Sequence, residues 1–201
     1  MNKMKITQLI ILFLIIFCSC KPQGIENQIH PMVDGRNLEW DKLNKKTIEL
    51  SKDVNLFIFQ NESYVWISYD FPKGSFGTLD MIIETEKIIN PINLHVSTQL
   101  GEWNLGDKEN IPKTATSNLW WNNQGWTANN LWANGIDTVS YDTPEFKIKN
   151  GDIREIQLSK LRFGRGKWKI KLEINAIKTK EGSFINLEYP ENEKYYLIVA
   201  T

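Results

Sequence analysis

Apolar and polar residues alternate with period two through most of the chain beyond residue 50. That period belongs to strands, whose side chains point to opposite faces in turn. Val54 to Gln60 (VNLFIFQ) and Tyr64 to Tyr69 (YVWISY) are rich in aromatic and β-branched residues, and the short Asn61-Glu62-Ser63 link makes them a hairpin. Further strands are expected at Leu79 to Glu84, Leu94 to Leu100, Ile136 to Tyr141, Glu145 to Lys149, Ile153 to Leu158 and Tyr195 to Ala200. Trp168 to Ile177 (WKIKLEINAI) is the clearest: Trp168, Ile170, Leu172, Ile174 and Ala176 should face one way, with Lys and Glu mostly opposite.

No stretch keeps a long 3.6-residue period. Short helical turns are expected at Leu38 to Leu43 and Leu158 to Phe163. Many short strands with turns between them predict an all-β protein, an antiparallel β-sandwich of jelly-roll or immunoglobulin-like type. The interval from Gly101 to Gly135 is too long for an ordinary hairpin connection; it reads as a Trp/Asn-rich loop excursion, the kind of loop that carries function or its own structure.

The N-terminus follows a different pattern. Lys3 and Lys5 precede a short apolar run, Leu9 to Phe17, which ends in Phe17-Cys18-Ser19-Cys20. A bilayer span takes about 20 apolar residues, and this run is shorter. A positive start, a brief apolar stretch and a small residue before a cysteine make a secretory signal. The closing pattern resembles a bacterial lipobox, in which a peptidase cuts before the cysteine that carries the lipid. Residues 1–19 are then the signal peptide, Cys20 the lipidated residue, 20–31 a polar tether, and 32–201 the folded domain. The expected location is the bacterial cell envelope, at the outer membrane, with the membrane itself a partner through the anchor.

Charge and cysteine content narrow the rest. Twenty-four basic residues balance 24 acidic ones, and the signal takes two lysines with it, so no basic face invites nucleic acid. Both cysteines, Cys18 and Cys20, lie in the signal region, which leaves the domain without a disulfide or a thiolate metal site. It must stand on its apolar core. No Gly-x-Ser-x-Gly elbow, His-Glu-x-x-His motif or phosphate loop is present, so a non-catalytic protein is expected.

Three stretches in order resemble the family 9 carbohydrate-binding modules and the wider sandwich group that includes DOMON domains. They are Asp34 to Trp40 (DGRNLEW), Tyr64 to Asp70 (YVWISYD) and Glu155 to Ile174 (EIQLSKLRFGRGKWKIKLEI). The resemblance implies an antiparallel sandwich that binds sugars without catalysis, with a structural calcium ion. Asp34, Glu39, Asp41, Asp70 and Asp80 are oxygen donors near expected turns, but without EF-hand spacing none is assigned as a ligand. His95 with Met81 could imitate the His/Met haem ligation of some DOMON domains, while a structural histidine is the default reading.

The densest candidate chemistry lies in Asn118 to Asn134, NLWWNNQGWTANNLWAN, with Trp120, Trp121, Trp126, Trp132, Asn122 and Asn123. Indole faces stack on the apolar C–H face of a pyranose, and side-chain amides hydrogen-bond its hydroxyls. Trp103 on the Gly101-Glu102-Trp103 turn could join them. The competing reading is that these rings anchor a long loop against the end of the sandwich. Trp40, Trp66 and Trp168 sit among buried-strand patterns and are expected in the core. Two functions follow: an envelope lipoprotein binding a glycan or other neutral ligand, or a structural or accessory lipoprotein that docks on an envelope protein.

Overall fold

Strand pairing follows the alternation closely. A computed structural model of the chain describes residues 30–130, 136–138, 146–148 and 151–201. The lipobox with Cys20, the tether before His30, and Trp132 lie outside these described residues.

The first sheet joins β1 (Lys46–Ser51), β2 (Val54–Gln60), β3 (Tyr64–Asp70), β10 (Ile153–Ser159) and β7 (Trp126–Ala128), in the order β1-β2-β3-β10-β7. The second runs β12 (Phe184–Tyr189), β11 (Gly166–Lys178), β4 (Thr78–Thr85), β5 (Ile92–Val96) and β6 (Leu100–Asn104). β13 (Tyr196–Ala200) pairs with the first half of β11, beyond which β12 takes over the same strand. β8 (Ile136–Thr138) and β9 (Phe146–Ile148) form a separate two-stranded ribbon. Pairing in all three sheets is antiparallel, and the two large sheets make a β-sandwich, the expected fold class.

The inner faces meet through Leu56, Ile67 and Ile156 of the first sheet and Leu79, Met81, Ile83, Leu94, Ile170 and Leu172 of the second, all fully buried. Each such side chain contributes roughly 1.5–3 kcal/mol by leaving water. Trp168 belongs to this core; Trp40 and Trp66 pack on the outer face of the first sheet with Phe57 and Ile153, under the segment that carries Val33 and Leu43. β10 therefore buries both faces. Arg154 points inward, and its guanidinium donates to the carbonyls of Phe76, Gly77 and Asn129 at 3.0, 3.2 and 2.6 Å.

Glu155 points outward from the same strand and is also enclosed. Its carboxylate accepts from Trp40 Nε1 (2.7 Å), Gly35 N (2.8 Å) and Asp34 N (3.0 Å). The Asp-Gly turn and the tryptophan of DGRNLEW are thus tied by the glutamate that opens the third family-like stretch. Gly35 holds φ +80°, a conformation that suits glycine.

Two expectations need correction. Leu94 to Leu100 is not one strand: it breaks at Ser97 to Gln99, where Ser97 N donates to Gln99 O, so β5 turns back as β6. Ala176 does not continue the inward row of β11. It sits at a bulge with φ +59°, and Ile177 takes the buried place instead. β1 and β12 carried no expectation because they are edge strands with largely exposed side chains and little alternation. The expected helical turns are a 3-10 turn at Trp40–Lys42 and one α-helical turn, α1, at Lys160–Phe163, with Ser159 Oγ accepting from Leu161 N.

Burial, with help from the nearby Glu39 charge, pushes the Glu155 pKa up to about 7 from 4.5, against the pull of its three donors. A pKa raised in the folded state gives stability that is complete below pH 4.5 and is lost as pH rises through 7. The loss attributable to Glu155 has an upper limit of about 3 kcal/mol. Urea denaturation at pH 5 and pH 8 should show wild type losing stability over this interval and Glu155→Gln losing less; equal slopes would refute the assignment.

Candidate functional site

Cross-strand register assembles an aromatic platform on the outer face of the second sheet. One row runs Lys171, Ile82, Asn93, Trp103; the next runs Glu173, Asp80, His95, Gly101. Residues opposite each other in neighbouring strands share a face. The bare Gly101 leaves room for a ring, and Trp120 from the long loop lies there: an ideal Cβ on Gly101 would come within 2.7 Å of Trp120 Cζ3 and 3.1 Å of Trp103 Cζ3. His95 sits between the two indoles, its ring centroid 5.8 Å from that of Trp103 and 5.4 Å from that of Trp120.

Asp80 orients the imidazole. Its Oδ1 accepts from His95 Nδ1 at 2.9 Å and from Asn93 Nδ2 at 2.7 Å. Burial would raise the Asp80 pKa, but the hydrogen bond and charge of His95, with the Asn93 amide, outweigh it and hold the carboxyl below its ordinary value. With Nδ1 committed to Asp80, Nε2 is the ring nitrogen left for a further hydrogen bond. His95 and Asp80 keep 20% and 31% of their side chains exposed, so the group is open to solvent.

The loop reaches this face through specific bonds. Asp107 accepts from the backbone of Glu109 and Asn110 to start a 3-10 turn at Lys108–Asn110. Trp120 Nε1 donates to Thr114 O at 2.9 Å, and Trp121 N donates to Leu100 O at 2.7 Å. Asn122 pairs with the edge of β6 as a backbone would: its amide donates to Glu102 O at 2.7 Å and its carbonyl accepts from Glu102 N at 2.8 Å. Asn123 donates to Trp126 O at 2.9 Å.

The candidate residues therefore divide. Trp103 and Trp120 come together half-buried on the platform, and Trp121 stands beside them, 53% exposed. Trp121 has φ +61°, a conformation that a side-chain-bearing residue adopts at a cost of roughly 1–2 kcal/mol. Trp126 is a correction: it belongs to β7, is 5% exposed and packs in the core, with its indole N–H on Glu102 Oε2 at 2.8 Å. Asn122 and Asn123 use their amides to hold the loop on the chain's own backbone, with Asn122 exposed. Trp132 lies outside the described residues.

Asp80, Asn93 and His95 were not placed in the site from sequence. His95 was read as structural, and only strand register shows that it shares a face with Trp103. Met81 neighbours Asp80 in β4 but points into the core, fully buried, while His95 faces outward; the two cannot ligate one haem. Asp34, Glu39, Asp41, Asp70 and Asp80 have separate partners, Asp34 accepting from Arg36 N at 2.9 Å. Glu39 accepts from Met32 N, Asp41 lies 3.9 Å from Lys45, Asp70 binds Asn55 and Asp80 binds His95. Among the described residues, no three His, Cys, Asp or Glu are grouped to hold a metal.

Comparison with known proteins adds a distant likeness. No family model matches the chain, and no curated protein matches it. Among solved structures, a carbohydrate binding module family 9 (CBM9) from Caldicellulosiruptor kristjanssonii in complex with cellotriose is similar, at 4% identity and TM-score 0.40, over 80% of each chain. A likeness at that level transfers no residue role.

Two substitutions separate packing from display. Trp126→Ala should cost about 3–5 kcal/mol in urea denaturation, as removal of a buried indole does. Trp121→Gly should leave stability unchanged or raise it by about 1 kcal/mol, because glycine relieves the positive φ. A large destabilisation by Trp121→Gly would show that this ring is a packing element.

Proposed function

We propose that the protein is a lipid-anchored envelope lipoprotein whose sandwich binds a glycan, without catalysis, on the outer face of its second sheet. The observation that carries the reading is the Trp103–His95–Trp120 cluster, with Trp121 exposed beside it in a strained conformation. Strain at an exposed aromatic residue is retained where the displayed ring has a use. The N-terminal signal ending at Cys20 supports the anchor.

The chemistry suits a neutral sugar. Indole faces take the apolar face of a pyranose ring, and His95 Nε2 hydrogen-bonds a hydroxyl while Asp80 fixes the ring plane. The platform is preformed, so little side-chain ordering remains to oppose binding. A bound sugar would lie along the row from Trp103 towards Trp120 and Trp121, and a short oligosaccharide fits this arrangement better than a single ring.

One observation favours the second reading, a docking protein. Phe76 and Phe184 meet at a tilt with centroids 5.7 Å apart, both half exposed, and exposed Ile185 follows on the β12 edge. A protein interface there predicts that Phe184→Glu abolishes co-purification of a stoichiometric partner and leaves sugar titration unchanged.

Titration with a panel of neutral oligosaccharides, followed by tryptophan fluorescence, tests the leading reading. Trp103→Ala and Trp121→Ala should each weaken binding at least about tenfold, roughly 1.4 kcal/mol, with unfolding midpoints near wild type. No response across the panel, or unaltered affinity in both variants, would sink it.

A further inference from the structure

One pole of the sandwich gathers turns that are far apart in sequence. The β2–β3 turn is held by Asn61, whose side-chain oxygen accepts from Ser63 N and Tyr64 N. Lys160 Nζ joins that turn to α1 and the last strand, donating to Gln60 Oε1, Asn61 O and Thr201 O. Arg165 donates to Glu62 O at 2.8 Å. The β4–β5 turn packs on α1: Thr85 Oγ1 donates to Phe163 O, and Lys87 Nζ donates to Leu161 O.

This pole displays the two most exposed large aliphatic side chains among the described residues, Leu161 at 85% and Ile89 at 78%. Val199, 56% exposed, lies on the strand edge beside them, opposite Lys167. The basic side chains here are Lys87, Arg165 and Lys167; the acidic ones are Glu62 and Glu86, the latter resting against Gly166. An open cavity of about 610 Å³ lies between the β2–β3 turn and α1, lined by Ser63, Tyr64, Ser159, Leu161 and Arg165 among others.

The described chain also starts here. His30 stacks over Trp66, and its ring nitrogen lies 3.4 Å from the Asn61 amide. Ten residues separate His30 from Cys20, a reach of at most about 35 Å. A lipid on Cys20 therefore keeps this pole within reach of the bilayer.

We infer that this pole docks on the surface of a bilayer containing anionic lipid, with Leu161 and Ile89 entering the headgroup boundary and Lys87, Arg165 and Lys167 meeting phosphates. The inference rests on the lipoprotein reading for its geometry. Isolated aliphatic tips flanked by cations match an interface that is apolar below and negatively charged above. The second sheet supplies a consequence. Gly166 and Thr85 mark its membrane end, and the His95–Gly101 row lies further along β11, at the level of Glu173, so docking would hold that row ~23 Å along the strand from the pole.

The mature lipoprotein has no second cysteine, so one introduced cysteine takes a single spin label. Labels at Leu161→Cys, Ile89→Cys and, as control, Lys180→Cys are compared on full-length protein in vesicles of phosphatidylethanolamine and phosphatidylglycerol. Lys180 lies beyond the far end of β11, about 40 Å along the strand from Gly166. The labels at 161 and 89 should gain collisions with oxygen and lose collisions with a water-soluble nickel chelate on vesicle binding, while the label at 180 stays aqueous. All three labels equally aqueous would overturn the docking pole. Mass measurement of the Cys20 peptide reads the anchor separately: an acylated Cys20 with aqueous labels refutes the pole and keeps the anchor. An unmodified Cys20 refutes the anchor; the labels are then read with Cys18 and Cys20 both replaced by Ser, and immersed labels at 161 and 89 in that background keep the pole.

Discussion

The carboxylate of Glu102 ties together the parts on which the candidate site depends. It stands on β6, at one edge of the second sheet. It receives the indole N–H of Trp126, from the edge of the first sheet, and both guanidinium nitrogens of Arg162 on α1. Its backbone receives Asn122 of the long loop. A two-pronged Arg–carboxylate pair constrains orientation as well as distance, and here it is largely shielded from water, with Glu102 only 13% exposed. Breaking such a pair leaves a charge stranded, so the sheet edges, α1 and the loop that carries Trp120 are held as one unit. The platform keeps its shape because the residue one position before Trp103 anchors this knot.

A second carboxylate works by the same logic on the other side. Glu155 fastens the Asp34-Gly35 turn and Trp40 over the outer face of the first sheet, covering Trp66 and Phe57. The three family-like stretches thereby acquire a structural meaning, since two of them meet at this one side chain. They specify how a sandwich closes its outer face and say nothing about what it binds. Trp103, Trp120 and Trp121 lie outside these stretches, whereas exposed Leu161 lies within the third, so that stretch both fastens the fold and displays a surface.

The proposed platform and the proposed anchor fit one orientation. β11 runs the length of the second sheet, with its first residues by α1 and its last beside the β3–β4 connection. A domain tethered at α1 and the β4–β5 turn would leave the aromatic rows of β5 and β6 further along the sheet, clear of the tethered end. Rigid strands suit that task, because a stacking surface loses affinity if it must order its side chains at each encounter.

Strand positions, the hairpin at Asn61 and the burial of Trp40, Trp66 and Trp168 were legible from alternation, because a half-buried sheet imposes period two on the residues themselves. Edge strands β1 and β12 were not, since one side of an edge and much of its surface meet water and the pattern washes out. The same limit governed the site. Composition marked the Trp/Asn segment as chemistry-bearing, yet Trp126 and Trp121, five residues apart in one tract, ended with opposite fates. The choice was made by β10, which pairs with β7 and draws Trp126 into the core, and by Leu100, whose carbonyl holds Trp121 at the surface. Local sequence determined an all-β chain and a supply of indoles. Which indoles face outward was decided only in three dimensions, where Trp120 of the long loop settles over Gly101, a contact between separate segments that no local pattern encodes.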